Sequence, residues 1–146
     1  MNPEDVPKGP LLVDTDVFSY LFGRKGRYED FAPLLDGHLL CMSFASYAEA
    51  LCLGHKRNWG DRAMSDLRSA LGRYVILPYD KVVAEAWAPM YVKVSGHLHD
   101  GGCNDLWTAA CALAQAEPVP VVTNNLVDFK AIATHFPVKI IHPDLG

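Results

Sequence analysis

Four acidic residues stand where short apolar runs give way to helix-like sequence: Asp14, Glu49, Asp105 and Asp128. Carboxylates that are gathered from separate elements repel one another and raise each other's pKa unless a cation neutralises them. The usual neutraliser is a divalent metal, and Mg²⁺ prefers oxygen ligands while keeping several of its waters. The four acids therefore predict a metal-dependent site that cleaves phosphodiester bonds.

The elements that must position these acids alternate along the chain. Strands are predicted at residues 11–14, 39–42, 74–77, 121–123 and 138–141. Helices are predicted at residues 17–22, 28–35, 43–58, 60–72, 82–94 (interrupted or kinked at Pro89), 105–116 and 129–135. This alternation predicts an α/β fold with a mainly parallel sheet and helices on both faces. Open sheets of this kind bind ligands at the carboxyl ends of their strands, where all four acids would meet.

The composition bounds the class of protein. The 146 residues are 50% hydrophobic and 21% charged, which excludes disorder and predicts one domain over residues 1–146 with a flexible segment at 1–10. The net charge of −4 argues against a broad basic face for duplex DNA. No apolar run approaches the ~20 residues of a membrane span, and the polar start is no signal peptide. Four cysteines without metal or redox spacing predict reduced, mostly buried thiols in a cytoplasmic protein.

Each acid also has a purely structural interpretation. Asp14 and Asp16 could be helix N-caps, and Asp128 could cap the helix at 129–135. Glu49 could close a capping box with Ser46, although Ser43 is the better cap. Asp105 stands in a first helical turn, where the helix dipole favours an acid. Taken singly these roles equal or outweigh the catalytic ones, but four acids at one sheet edge favour a shared site.

Four segments carry a resemblance to a known family. They are Leu12-Val13-Asp14-Thr15-Asp16, Ser43-x-x-Ser46-x-x-Glu49, the stretch from Asn104 to Leu113, and Thr123-Asn124-Asn125-x-x-Asp128-Phe129. In this order and spacing the chain resembles PIN-domain ribonucleases, and among them the VapC toxins of bacterial and archaeal toxin–antitoxin pairs. Two positions depart from the family pattern. Asp16 stands where an Asn is usual, and Asn125 stands where an acid is usual, so that Asp128 is the candidate to replace it.

The resemblance implies a single PIN-like domain with a five-stranded parallel sheet and bound Mg²⁺ or Mn²⁺. Asp14 and Asp105 would be the principal metal ligands, Glu49 would hold metal-bound water or act as a base, and Asp128 would complete the site. An ion of this kind activates water for in-line attack on phosphorus. The neighbouring polar residues would orient these carboxylates or meet a phosphate: Thr15, Asp16, Ser43, Thr123 and Asn125.

The resemblance also implies partners. The substrate would be RNA, and two basic groups (residues 24–27 and 55–57) could hold its backbone beside the acids, unless they are merely solvated surface. A cognate VapB-type antitoxin would place a basic side chain, most suitably an Arg, among Asp14, Glu49 and Asp105. A homodimer is predicted through apolar helix faces that carry Tyr47, Leu51, Trp87 and Tyr91.

Two rival functions remain open at this point. Asp14-Thr15-Asp16-Val17 also resembles the opening of haloacid-dehalogenase-like phosphotransferases, whose first Asp is a nucleophile. Alternatively, the chain is a catalytically silent PIN-like module that binds RNA or protein. The pair His97-x-His99 lacks a third ligand for zinc. The three tryptophans are interpreted as core or interface residues rather than as base-stacking platforms.

Overall fold

Five short parallel strands form the centre of the molecule. The computed structural model describes residues 1–99 and 103–146. The strands are β1 (Leu11–Val13), β2 (Leu40–Ser43), β3 (Val75–Leu77), β4 (Val121–Val122) and β5 (Ile140–Ile141). Their spatial order is β3-β2-β1-β4-β5, and every neighbouring pair is parallel. The prediction of a five-stranded parallel α/β sheet is therefore confirmed, and β1, which precedes Asp14, lies in its middle.

Helices connect the strands. In the described part of the chain they are α1 (Thr15–Gly23), α2 (Tyr28–Leu35), α3 (Phe44–Lys56), α4 (Asp61–Leu71), α5 (Lys81–Val94), α6 (Cys103–Ala114) and α7 (Leu126–His135). None of these helices is long and apolar enough to cross a lipid bilayer. The helix α5 runs through Pro89 without a break. Part of the glycine-rich loop predicted at residues 97–104 lies outside the described residues.

The core is divided by the sheet into two halves. Leu12 of β1 packs in one half with buried side chains of α5, α6 and α7. Leu11 and Val13 pack in the other half with buried side chains of α1, α2 and α4. Because alternate residues of a strand point to opposite faces, a strand buried on both faces must be apolar throughout. This explains the uninterrupted apolar run before Asp14 and confirms that helices cover both faces of the sheet.

The first ten residues make specific contacts. Residues Pro3–Asp5 form one turn of 3₁₀ helix, and Val6 is buried in the half of the core that contains α1 and α2. The amino group of Met1 donates a hydrogen bond to the carbonyl oxygen of Pro143 at 2.9 Å. The flexibility expected for this segment remains a prediction.

Candidate active site

Asp14 occupies the carboxyl end of the central strand and is buried. Its Oδ1 accepts a hydrogen bond from the backbone N–H of Thr15 at 2.9 Å, so Asp14 is also the N-cap of α1. Its Oδ2 accepts from the Thr123 hydroxyl at 2.9 Å, and the Ser46 hydroxyl lies 3.5 Å from Oδ1. The carboxylate of Asp14 thus caps α1 and is held by side chains of α3 and of the residue after β4.

Three buried hydroxyls stand behind Asp14. Ser43 caps α3, since its Oγ accepts from the backbone N–H of Ser46 at 3.1 Å. The Thr108 hydroxyl lies 3.0 Å from Ser43 Oγ and 3.3 Å from Ser46 Oγ. Sequence reasoning did not select Ser46 or Thr108 as site residues. Their spacing could have identified them, because Ser46 precedes Glu49 by three residues and Thr108 follows Asp105 by three, which places each pair on one helical face.

Asn125 bridges two of the acids. Its Nδ2 donates to Oδ2 of Asp105 at 2.9 Å and to Oδ2 of Asp128 at 3.0 Å. The same side chain caps α7, because its Oδ1 accepts from the backbone N–H of Asp128 at 3.4 Å. The structural interpretation of Asp128 as the N-cap is therefore wrong, as is the predicted helix start at residue 129. Asp128 instead lies in the first turn of α7, where it is buried and also accepts from the backbone N–H of His99 at 3.4 Å.

Glu49 and Asp16 complete the acidic group. The Thr15 hydroxyl donates to Oε1 of Glu49 at 3.1 Å, which joins the start of α1 to the middle of α3. Since Ser43 caps α3, the capping-box interpretation of Glu49 does not apply. Asp16 accepts from the backbone N–H of Val17 at 2.8 Å within the first turn of α1. The charge of Asp16 raises the pKa of both Asp14 and Asp105, so Asp16 lies close enough to interact electrostatically with both.

Two carboxyls of this group, those of Asp14 and Asp105, have pKa values well above the ordinary value for Asp. Burial raises the pKa of Asp14 to about 8, and the charges of Asp16 and Asp105 add to this rise. Burial also raises the pKa of Asp105 to about 7, with further contributions from Asp128, Glu49 and Asp16. Within residues 1–99 and 103–146, the ion pairs are those of Arg27 with Asp30 and Asp144 and of His142 with Asp144, so none neutralises the acidic group.

The donor set fits Mg²⁺ or Mn²⁺. Its members are oxygen donors, and burial together with neighbouring charge raises the pKa of Asp14, Asp16 and Asp105, so that an adjacent cation would stabilise their ionised form. Among the described residues, no group of three or more His, Cys, Asp or Glu side chains is arranged to hold an ion by itself. Mg²⁺ does not require such a cage, because one or two carboxylates with several waters and a substrate phosphate commonly suffice.

The basic groups predicted beside the acids divide into two kinds. Arg27 is already engaged, since its guanidinium donates to Asp144 at 2.9 Å and to the Asn124 side-chain oxygen at 3.3 Å. Lys56 and Arg57 are exposed at the end of α3, and Lys56 lines the same pocket as Glu49. Arg27 therefore ties the C-terminal segment to the loop after β4. Among the described residues Lys56 and Arg57 form no ion pair, and the Arg57 guanidinium lies over the Trp59 ring at 6.0 Å.

Solved structures resemble this chain over nearly its whole length. A chain of VapBC2 from Rickettsia felis, bound to a promoter DNA fragment, shares 20% identity with a TM-score of 0.72, covering 90% of this chain and 97% of that one. A chain of DNA-bound VapBC from Salmonella typhimurium shares 22% sequence identity with a TM-score of 0.72, and the match covers 92% of this chain and 96% of that one. A chain of FitAcB from Neisseria gonorrhoeae shares 25% sequence identity with a TM-score of 0.69, and the match covers 91% of this chain and 97% of that one.

Sequence comparison places the chain in a family. Among curated proteins, none matches it significantly by sequence. The family profile of the PIN domain, however, matches residues 11–134, which include every acidic residue of the site. The matched stretch begins with β1 and ends within α7, so it also contains four of the five strands. This protein belongs to the PIN domain family.

Proposed function

We propose that this protein is a metal-dependent endoribonuclease and the toxin of a type II toxin–antitoxin pair of the VapBC kind. The observation that carries the nuclease proposal is the group of buried and half-buried carboxylates at the carboxyl edge of a parallel sheet, which no ion pair among the described residues neutralises. Such a set is stabilised by a divalent cation and then attracts phosphate. Membership of the PIN domain family supports the same chemistry.

The side chains divide the work as follows. Asp14 and Asp105 hold the cation, and Thr123 together with the Ser43–Ser46–Thr108 hydroxyls keeps the Asp14 carboxylate oriented. When bound, Mg²⁺ or Mn²⁺ supplies a Lewis acid that lowers the pKa of water and stabilises negative charge on the leaving oxygen. Glu49, whose Oε1 is held by the Thr15 hydroxyl, accepts the proton of the attacking water through its other oxygen. Asp128 fills the fourth acidic position, where Asn125 ties it to Asp105.

The test is RNA cleavage by purified protein with Mg²⁺, with Mn²⁺ and with EDTA. We expect Asp14→Asn and Asp105→Asn each to abolish cleavage, because each removes a charged metal ligand while an amide of the same shape remains. Asp66→Asn on the exposed surface of α4 is the matched control and should retain wild-type activity. Full cleavage in EDTA, or full activity of both site variants, would contradict the proposal.

The two rivals predict other results. A phosphotransferase would form an aspartyl-phosphate on Asp14, which a phosphate analogue would trap. Membership of the PIN family gives that rival no support, and both oxygens of Asp14 already accept hydrogen bonds. A silent module that binds RNA or protein would cleave no RNA under any metal condition, and the same cleavage assay detects that outcome.

The proposed partner is a VapB-type antitoxin. The similar structures from R. felis and S. typhimurium are VapBC complexes bound to DNA, which supports a partner of that kind here. An Arg from the partner would neutralise Asp14, Glu49 and Asp105 through bidentate hydrogen bonds. A cytoplasmic location fits a toxin of this type, as do the free thiols of Cys41, Cys52 and Cys111. Harmless strong expression without a partner gene would contradict the toxin role.

A homodimer is proposed through α5. Tyr91 stacks on Trp87 with ring centroids 4.8 Å apart, and the adjacent Val92 is 86% exposed. Tyr47 and Leu51 of α3, the other two residues predicted for a dimer interface, are half-buried and pack against the other half of the core. We expect Val92→Glu to give a monomer in light scattering at tens of micromolar, whereas Val127→Glu, at another exposed valine, should not. A monomeric wild-type protein would contradict the dimer.

A further inference from the structure

A pocket of about 530 Å³ adjoins the acidic group, and the chemistry proposed above makes no use of it. We name it the Lys56 pocket, and its lining includes Thr15, Phe44, Glu49, Lys56, Asn104 and Trp107. Because Thr15 and Glu49 also belong to the acidic site, one wall of the pocket is shared with the site. Whatever occupies the Lys56 pocket is therefore next to the group bound by the acids.

Part of the pocket lining is aromatic. The rings of Phe44 and Trp107 meet edge to face with centroids 5.9 Å apart. Trp107 is supported from behind by Trp87, which lies parallel to it at 4.6 Å, and Tyr79 packs edge to face on Trp107 at 5.0 Å. An aromatic wall of this kind offers apolar contact to a planar ligand.

The polar groups of the pocket match a nucleotide. Asn104 is exposed at the rim and offers an amide that can both donate to and accept from the edge of a base. Lys56 is exposed and supplies a positive charge for a backbone phosphate, next to His55 and Arg57. Aromatic contact, an amide and a cation together are the means by which proteins hold unpaired bases of single-stranded RNA.

We propose that the Lys56 pocket binds an unpaired nucleobase of the RNA strand adjacent to the scissile phosphate and thereby helps to choose the cleavage site. This inference rests on the proposed ribonuclease function. The base lies against Phe44 and Trp107, Asn104 reads its edge, and Lys56 holds the phosphate on its outer side. The neutral base, and not a phosphate, faces Glu49, so the acidic wall does not repel the ligand.

The variants that test this fill the pocket from its exposed side. Ala48 lines the pocket on α3 and is solvent-exposed, so Ala48→Phe occludes the space without entering the core. Ala116→Phe is the matched control. That alanine is also exposed and lies two residues beyond the end of α6, and the helix ends about 13 Å along its axis from Asp105.

The measurement is the affinity for a short fluorescent single-stranded RNA in EDTA, so that no cleavage is required. We expect Ala48→Phe to weaken binding roughly 10-fold or more and Ala116→Phe to leave it unchanged. An abasic scan of the RNA sharpens the result. Removing the base at one RNA position should weaken binding to the wild type about 10-fold. The same removal should not weaken binding to Ala48→Phe, because that variant has already lost the contact with this base.

Lys56 is tested separately through salt. Lys56→Gln should reduce the slope of log affinity against log salt by about 0.7, the amount of one contact with a single-stranded phosphate. Lys139→Gln is the control, because Lys139 is exposed just before β5 at the opposite edge of the sheet and should not change the slope.

The outcomes separate the two proposals. If the wild type binds RNA in this pattern but cleaves nothing with Mg²⁺ or Mn²⁺, the nuclease proposal and the role of the pocket in choosing a cleavage site fail, while the assignment of the pocket to an unpaired base stands. If the wild type cleaves RNA and Ala48→Phe binds as tightly as wild type with an unchanged abasic profile, the pocket assignment is overturned. A change in oligomeric state of Ala48→Phe without a change in RNA affinity would assign the pocket to a protein interface and overturn it as well.

Discussion

Replacing Asp14 with Asn should stabilise the metal-free protein, and increasingly so as the pH rises. The native carboxyl has a pKa of about 8 against an ordinary 3.8, so folding takes up a proton between those pH values. A group of this kind favours the folded state fully below pH 3.8, and that advantage is lost as the pH rises toward 8. Asn is neutral at every pH and therefore does not lose it.

The magnitude follows from the same pKa values. A rise from 3.8 to about 8, at about 1.4 kcal/mol per unit, sets an upper bound on the order of 5 kcal/mol at pH 8. Asp16 and Asp105 share the repulsion, so a proton on one acid relieves the others, and we expect roughly 1–3 kcal/mol in practice. For a domain of this size that is about 3–10 °C in melting temperature. Asn retains the structural role, because its oxygen can accept from Thr15 and its amide can donate to Thr123.

The assay is thermal and urea denaturation from pH 4 to 8.5 in EDTA, for wild type, Asp14→Asn and the surface control Asp66→Asn. The difference in stability between Asp14→Asn and wild type should be near zero at pH 4 and should increase toward pH 8. The gap for Asp66→Asn should stay flat. Adding Mg²⁺ at pH 8 should stabilise the wild type and narrow the gap, because the ion binds the folded form. A gap that does not depend on pH, or a destabilised Asp14→Asn, would refute the reasoning.

Further predictions concern the neighbours of Asp14. Asp128→Asn should lower the cleavage rate at least ~100-fold, as a lost acidic ligand or water-holder would. It should also cost about 1 kcal/mol in urea denaturation, since an amide cannot accept from both Asn125 and His99. An active variant would reduce Asp128 to a structural role. Asn125→Asp should destabilise the metal-free protein by roughly 1–3 kcal/mol at pH 7.5, because it places a third carboxylate against Asp105 and Asp128. Mn²⁺ should recover that loss, and a variant as stable as wild type in EDTA would be inconsistent with the bridge. Ser43→Ala should cost about 1–2 kcal/mol through the lost cap of α3, whereas the exposed Ser65→Ala should be silent by the same melting measurement.

The strands and the acids that follow them could be predicted from the sequence because they depend on local properties of the chain. The run before Asp14 is apolar at every position because β1 is buried on both faces, and Asp14 and Ser43 are residues that cap helices. Both properties depend on nearest neighbours along the chain. The sequence therefore sufficed to predict the parallel sheet, the start of α3 and the meeting of the acids at one edge.

The choice of cap for α7 was decided elsewhere. Asn125 and Asp128 are both acceptable N-caps, and nothing within their own segment separates them. Asn125 takes the role because its amide also reaches Asp105, twenty residues earlier in the chain, while Asp128 is turned inward to the same amide. A contact of that range exists only when α6 and α7 are packed side by side.

The sequence by itself determined which segments are strands and that Asp14 and Ser43 cap helices, since periodicity and local capping are properties of adjacent residues. The tertiary structure alone decided the strand order, the hydroxyl group of Ser43, Ser46 and Thr108, and the pocket walled by Phe44 and Trp107. The three hydroxyls and the pocket join side chains of β2 and α3 to side chains of α6, which are far apart in sequence. Their positions depend on how each helix packs against the sheet. The free energy of that packing is a sum over the whole core, so no single segment of the sequence predicts it.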